Sequence, residues 1–294
     1  MNTDTMSLLY HYTSIDAFMG IFGNCTKANQ KITMWATHSM YLNDPTEFKL
    51  GGEICREALS GVEKELDIPF RERLSNKIYS SEEMHHQDVM AQVYSTIPDK
   101  IHWGMPYVIS LSQNRDNLPM WNTYGRNGQG IALGFNEYRL LQTEGLEIKK
   151  CCYNTFLDEE YKALYLRIRD RWQSLYKNRD EIEQSNVCDL VYDSVRLTFR
   201  DEMPFIKHYG YQYENEVRCI AKPCQNTKIE YRSANNMIIP YIGRQIDIQC
   251  LEQIIIGPCA DKERVKASLI SYLYDKVKNL DRIKIIESEM QYRW

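Results

Sequence analysis

Short apolar-rich segments recur along the chain, several with strict alternation of apolar and polar residues, and they predict β-strands. The first half of the chain contains four such segments, at Leu8–Thr13, Ile32–Thr37, Tyr107–Ser112 and Gly130–Phe135. The second half contains five, at Tyr213–Ala221, Lys228–Arg232, Ile238–Ile242, Gln253–Ile256 and Ile283–Ile286. We therefore expect a sheet that forms the centre of the protein.

Segments with apolar residues at helical spacing lie between these strands. Short helices are predicted at Ser14–Phe22 and Pro119–Tyr124, and a longer one at Asp261–Val277. The pattern is mainly helical and charged from Thr46 to about Tyr94. Two more helices are predicted between about residues 158 and 203, and we interpret this stretch as an insertion.

Strands and helices alternate irregularly, which is typical of an α+β fold with a mixed, mostly antiparallel sheet and not of a doubly wound fold. No internal repeat, low-complexity tract or Pro/Gly/Ser linker divides the chain. A length of 294 residues lies near the upper limit of one domain. We predict one domain over residues 1–294 that carries a helical insertion at about 158–203.

Composition and charge exclude several classes of protein. A net charge of −4 gives no general attraction to nucleic acid or to anionic membranes. No apolar run approaches the roughly 20 residues that a membrane span requires, and the start of the chain does not resemble a secretion signal. The nine cysteines include no C-x-x-C pair, so we expect reduced, mostly buried thiols and no structural zinc site. These features predict a soluble cytoplasmic protein.

The first segment that could carry chemistry is the strand around His11. Alternation places His11 and Thr13 on one face of this strand, and Tyr10 and Tyr12 on the other. An imidazole and a hydroxyl on one face can bind a polar ligand at the end of the strand. Alternatively, His11 is half-buried and satisfied by the backbone while Thr13 or Ser14 caps the next helix, and for this segment alone that interpretation is favoured.

The second segment runs from Ser110 through Ser112 to the aromatic stretch around Trp121 and Tyr124. Aromatic rings beside a glycine-bearing turn can hold a flat ligand, because glycine lets the backbone approach it closely. Packing in the core explains Trp121 equally well. The glycines at 125–130 match neither dinucleotide nor P-loop patterns, so they predict no phosphate loop.

The third segment contains Glu214, Glu216 and Arg218, which alternation places on one face of a strand. Such a row can be a solvated face with little net stabilisation, and this interpretation is strong for Glu214. It is weaker for Glu216 if that face lines a cleft, where a carboxylate can stabilise a developing cation. The histidines show no ligand-like spacing, so we expect no metal.

Taken in order, five segments of the chain resemble the bacterial family of unknown function DUF2971. They are LYHYTS, LNDPTEF, ISLSQNRDNLPMWNTYGRNGQGIALGF, YENEVRCIA and IIIGP. The resemblance extends from Leu9 to Pro258, and it rests on the ordered set. It names a family without naming a reaction.

That family is in turn similar to the ADP-ribosyltransferase superfamily. The resemblance implies a sheet core of that type and NAD as the substrate, with no metal required. His11 and Thr13 match a His-x-Thr/Ser pattern that binds a ribose of NAD, and Glu216 matches the catalytic glutamate. Tyr41 matches the aromatic residue that stacks on nicotinamide, and Trp121 and Tyr124 are rivals for this role.

The resemblance thus implies three groups of site residues. The catalytic group contains Glu216, His11 and Tyr41. The group that contacts NAD contains His11, Tyr12, Thr13, Ser112, Trp121, Tyr124 and Arg218. Residues that bind the acceptor, or that only cap a helix and pair charges, are Asn43, Asp44, Glu47 and Glu214. Asp44 and Glu47 also have the spacing of a capping box at a helix start.

The function implied is transfer of ADP-ribose from NAD to an unknown protein or nucleic-acid acceptor, as in a toxin or a phage-defence effector. Two other functions stay open. One is a metal-dependent nuclease or other phosphodiesterase that uses Glu214, Glu216, Asp44 and His11. The other is a non-catalytic nucleotide-binding sensor or adaptor, which would bind a ligand without turnover.

Overall fold

The computed structural model describes residues 7–42, 47–73, 75, 106–178, 201–223, 226–234 and 236–291. Within these residues the strands are β1 (Leu8–Thr13), β2 (Lys31–His38), β3 (Tyr107–Ser112), β4 (Ile131–Asn136), β5 (Glu147–Lys150), β6 (Cys152–Tyr153), β7 (Ile206–Lys207), β8 (Glu216–Ala221), β9 (Glu230–Ala234), β10 (Met237–Asp247), β11 (Leu251–Ile256) and β12 (Lys284–Glu287). The α-helices are α1 (Ile15–Ile21), α2 (Glu47–Glu65), α3 (Leu118–Thr123), α4 (Glu137–Leu141), α5 (Glu159–Lys177) and α6 (Lys262–Lys276). None of these helices is long and apolar enough to cross a membrane.

Ten of the described strands form one sheet, and β6 pairs with β7 in a small second sheet. The main path runs β12-β11-β4-β1-β3-β2-β10-β9, while β8 pairs with β3 and carries β5 on its other side. Every pairing in the main sheet is antiparallel except that of β11 with β12. The predicted α+β fold with a mixed, mostly antiparallel sheet is therefore confirmed.

The sheet splits beside β3, because β1 and β2 pair with the same edge of β3, one at each end. β1 pairs with β3 only at Tyr10 opposite Ser112, and then follows β4. β2 pairs with the other end of β3, where Thr37 lies opposite Val108, and otherwise follows β10. The middle of β3, around Ser110, thus has no strand beside it on that edge. This split positions the candidate site.

Two apolar clusters hold the elements around the split. The larger one packs α1 and α6 against the main sheet and includes Leu9, Phe18 and Phe135. Each fully buried side chain of this size stabilises the fold by about 1.5–3 kcal/mol. The second cluster packs α2 against α5 and includes Ile206 of β7. It fixes the position of β7, which carries Lys207 to the site.

Helix α5 displays the predicted helical spacing, with buried residues at Tyr161, Leu164, Ile168, Trp172 and Tyr176. It is the first of the two helices predicted for 158–203. Residues 179–200, where the second was predicted, lie outside the described residues.

One predicted strand is wrong at its start. The chain forms a 3₁₀ turn over Tyr209–Glu214, and Asn215 adopts a left-handed conformation with φ of 43°, so β8 begins only at Glu216. Asn tolerates this conformation better than most residues, because its short polar side chain can bond locally. The solvated face predicted for Glu214 is wrong as well, since its side chain is 2% exposed.

Candidate functional site

A cavity of about 420 Å³ opens at the split in the sheet. This volume lies within the range of about 300–1,000 Å³ that is typical of ligand pockets. Residues singled out in all three segments of the sequence line it, and they are His11, Tyr12, Thr13, Ser110, Tyr124, Glu216 and Arg218. Tyr41, nominated through the resemblance, lines it too. The fold therefore brings these distant segments together.

The carboxylate of Glu216 is buried against two cations. Arg218 donates from Nε to Oε1 at 2.9 Å and from Nη2 to Oε2 at 3.1 Å, and Lys207 Nζ lies 2.8 Å from Oε2. A carboxylate can accept about four hydrogen bonds. The Arg218 and Lys207 contacts occupy three of them, which leaves Oε1 able to accept one from a ligand.

The charges around Glu216 decide its protonation state. Burial alone would raise the pKa of Glu216, but Arg218 and Lys207 outweigh burial and lower it to about 2. Burial likewise opposes the charge of Lys207, yet the carboxylates of Glu216 and Glu214 raise the pKa of Lys207 above its usual value. Glu216 and Lys207 therefore both stay ionised at neutral pH. Glu216 is therefore suited to stabilise a positive charge and not to take up a proton.

Glu214 extends this network away from the cavity. Its Oε2 lies 2.5 Å from Lys207 Nζ, and its Oε1 accepts from the Tyr124 hydroxyl at 2.9 Å. The Ser112 hydroxyl donates to the backbone oxygen of Glu214 at 2.6 Å. Neither Ser112 nor Glu214 is among the residues that line the cavity. Both instead position Lys207 and the turn that precedes β8.

His11 is held by the unpaired middle of β3. Its Nδ1 lies 3.0 Å from the backbone oxygen of Ser110, so we assign the proton to Nδ1, which leaves Nε2 as an acceptor. Burial lowers the pKa of His11, and the positive charge of Arg232 adds to this effect against the Ser110 hydrogen bond. The ring is therefore neutral at pH 7. Thr13, two residues further along the same face, is also buried at the cavity.

The aromatic candidates differ in whether their rings can reach a ligand. The Trp121 ring is fully buried, donates from Nε1 to Asp116 at 2.6 Å and packs on Tyr12 with centroids 4.8 Å apart. Tyr12 lines the cavity, yet its hydroxyl donates to the Asn114 backbone at 2.8 Å on the other side of β1. Tyr41 is 37% exposed at the cavity, so its ring is free to contact a ligand.

Three cations at the cavity, Lys207, Arg232 and Arg126, were not singled out in the sequence. The only sequence feature that could have pointed to Lys207 is its position after a short apolar run. No sequence feature pointed to the two arginines. Together with Arg218, they make four cationic residues against the single carboxylate of Glu216 among the described lining residues. The lining thus carries three net positive charges, of which the buried Glu214 carboxylate beside Lys207 offsets one, and the remaining two favour an anionic ligand.

Three other predicted site residues are not among the described residues that line the cavity. Asn43 and Asp44 lie outside the described residues, and Glu47 is the first residue of α2. Among the described residues, no group of three or more His, Cys, Asp or Glu side chains is arranged to hold a metal ion.

Comparison with known proteins finds a family model that matches part of the chain. Residues 120–219 match the model of a family described as protein of unknown function, DUF2971. The predicted resemblance to DUF2971 is therefore confirmed over this segment, which contains Lys207, Glu216 and Arg218. No curated protein and no solved structure matches the chain.

Proposed function

We propose that the cavity binds NAD and that the protein transfers ADP-ribose to a macromolecular acceptor, with release of nicotinamide. The observation that carries this proposal is the meeting of His11, Tyr41 and Glu216 at one cavity. These three residues come from distant parts of the chain, and they are the ones that the superfamily resemblance nominates for the catalytic roles.

The charge of the cavity supports a dinucleotide ligand. NAD carries two negative phosphate groups, and the described lining together with Glu214 has two net positive charges. Lysine and arginine bind phosphate oxygens by charge-assisted hydrogen bonds, which are stronger than neutral ones. The ligand's charge therefore complements the charge of the lining.

The contacts of His11 and Glu216 suit the ribose next to nicotinamide. His11 Nε2 accepts a hydrogen bond from one ribose hydroxyl, and Glu216 Oε1 accepts from the other. When the bond from C1′ to the nicotinamide nitrogen breaks, nicotinamide leaves with the electron pair and the ribose becomes oxocarbenium-like. The fixed Glu216 carboxylate stabilises that positive charge. A nucleophile of the acceptor then bonds to C1′ and releases its proton.

The free thiols of the chain support a reducing compartment. Five of the described cysteines, Cys25, Cys55, Cys152, Cys219 and Cys250, are free thiols. Disulfides are rare in the cytosol because its thiols are kept reduced. We therefore place the reaction in the cytoplasm, where a toxin or phage-defence effector would find NAD and its acceptor.

Replacing the proposed stacking residue tests NAD binding directly. We expect Tyr41→Ala to weaken NAD binding about tenfold, because stacking on an aromatic ring contributes about 1–3 kcal/mol per base. Isothermal titration calorimetry of NAD with the purified protein measures this effect. Tyr138→Ala is the control, since Tyr138 is 73% exposed on α4 and does not line the cavity. If the two variants bind NAD equally well, Tyr41 does not contact the ligand. If folded wild type does not bind NAD, the proposal that NAD is the ligand is wrong.

A further inference from the structure

Arg232 of β9 lies at the cavity in an unusual electrostatic setting. Its Nη2 donates to the Thr37 hydroxyl at 3.1 Å, while its buried Nε has no hydrogen-bond partner among the described residues. Burying a donor without a partner is unfavourable, because the donor loses its hydrogen bonds to water. Arg232 is half-buried in the wall of the cavity, so the rest of its guanidinium is placed to donate to a ligand there.

No described carboxylate neutralises Arg232. The acid two residues earlier on β9, Glu230, is bound by Lys228 at 2.8 Å. Glu216, the one carboxylate in the described lining, is held by Arg218 and Lys207. The positive charge of Arg232 is thus uncompensated within the described part of the chain, and an anionic ligand would compensate it.

The guanidinium of Arg232 rests on a fixed aromatic surface. Its Cζ lies 5.9 Å from the centre of the Trp35 ring, within cation–π range. Trp35 packs against Tyr241 with ring centroids 5.3 Å apart. Trp35 also lies so close to Gly20 of α1 that a Cβ there would overlap the Trp35 ring. Arg232 is therefore held in place before any ligand binds, which reduces the entropy that binding would cost.

We infer that Arg232, supported by Trp35 and Thr37, is a phosphate-binding subsite of the cavity and takes the diphosphate of a dinucleotide. The planar guanidinium presents several N–H donors in a fork that matches phosphate oxygens. The identity of the dinucleotide as NAD rests on the proposed function. The expected affinity of Arg232 for a diphosphate group does not depend on that function.

The subsite can be tested with ligands that carry the diphosphate alone or within a nucleotide. We expect the purified protein to bind inorganic pyrophosphate and ADP-ribose in isothermal titration calorimetry, and to bind adenosine much more weakly. Arg232→Gln should weaken binding of both diphosphates at least about tenfold, because charged hydrogen bonds contribute about 1.5–3 kcal/mol. Arg232→Lys should retain part of the affinity, since it keeps the charge but loses the fork.

Arg264→Gln is the matched control, because the Arg264 side chain on α6 is 90% exposed, with Asp261 as its neighbour at 3.4 Å. Thermal unfolding checks the variants: Arg232→Gln should be at least as stable as wild type, because it removes an uncompensated charge.

Wild-type affinity of Arg232→Gln for pyrophosphate, or no pyrophosphate binding by wild type, would overturn the subsite. Loss of pyrophosphate binding with unchanged ADP-ribose binding would overturn its assignment to a dinucleotide. Nicotinamide release is measured separately, so a wild type that binds pyrophosphate through Arg232 without cleaving NAD would refute only the proposed transfer reaction.

Discussion

Glu216→Gln is expected to lower the rate of nicotinamide release from NAD by about 100- to 1,000-fold, the cost of losing one preorganised electrostatic group in an active site. The glutamine keeps the shape of the side chain but removes the negative charge that faces C1′ in the proposed reaction. Release of nicotinamide by the purified variant, measured against wild type at saturating NAD, gives this ratio. A folded Glu216→Gln protein with the wild-type rate would refute the role of Glu216.

Two further variants separate chemistry from folding. Removing the Glu216 charge also leaves Arg218 and Lys207 undercompensated, so Glu216→Gln should unfold at a lower temperature than wild type. Glu214→Gln is the matched control, because Glu214 is equally buried and also contacts Lys207 but does not line the cavity. It should lose stability while losing less than about tenfold in rate, since the group it removes is not at C1′. Glu216→Asp keeps the charge and the fold but withdraws the carboxylate, and its rate should also fall.

Lys207→Met is expected to have the largest effect on stability. Lys207 is 4% exposed and lies between two buried carboxylates, Glu214 at 2.5 Å and Glu216 at 2.8 Å. Without Lys207, the negative charges of Glu214 and Glu216 repel each other and are only partly compensated. Removing one partner of a comparable buried ion pair costs about 3–5 kcal/mol. Urea unfolding of the two proteins measures the difference. Lys228→Met is the control, because the pair of Lys228 and Glu230 is exposed and should contribute little to stability.

The same variant should shift the pH at which the protein unfolds in acid. The folded-state pKa of Glu216 is about 2, below its ordinary 4.5, so its contribution to stability is present above pH 4.5 and is lost as the pH falls towards 2. Without Lys207 the folded-state pKa of Glu216 rises. Lys207→Met should therefore begin to unfold at a higher pH than wild type, and an unchanged acid transition would contradict the proposed pairing.

Much of the sheet could be predicted from sequence because its strands carry long runs of apolar or alternating residues. β1 and β3 have the predicted bounds, and the N-caps Ser14 and Asp261 begin the predicted helices α1 and α6. The short strands β5, β6 and β7 could not be predicted, since two to four residues carry too little periodicity.

The predicted part of the site and the missed part differ in what creates them. His11, Tyr41 and Glu216 were nominated because their order along the chain resembles a superfamily, and they meet at one cavity. The burial of Glu214 depends on the left-handed Asn215, which ends the alternation assumed for that strand. Lys207 and Arg232 reach the cavity through the tertiary packing of β7 and β9. Local sequence patterns do not predict such packing.

Release of nicotinamide from NAD is the measurement that tests the central claim most directly. Purified wild type and Glu216→Gln are incubated with NAD, with crude cell extract as a source of acceptors and no added metal. We predict release by wild type and little or none by Glu216→Gln, which would establish NAD cleavage at this cavity. If folded wild type releases no nicotinamide in the presence of extract, the proposed reaction is wrong, and the cavity belongs to a metal-dependent phosphodiesterase or to a protein that binds its ligand without turnover.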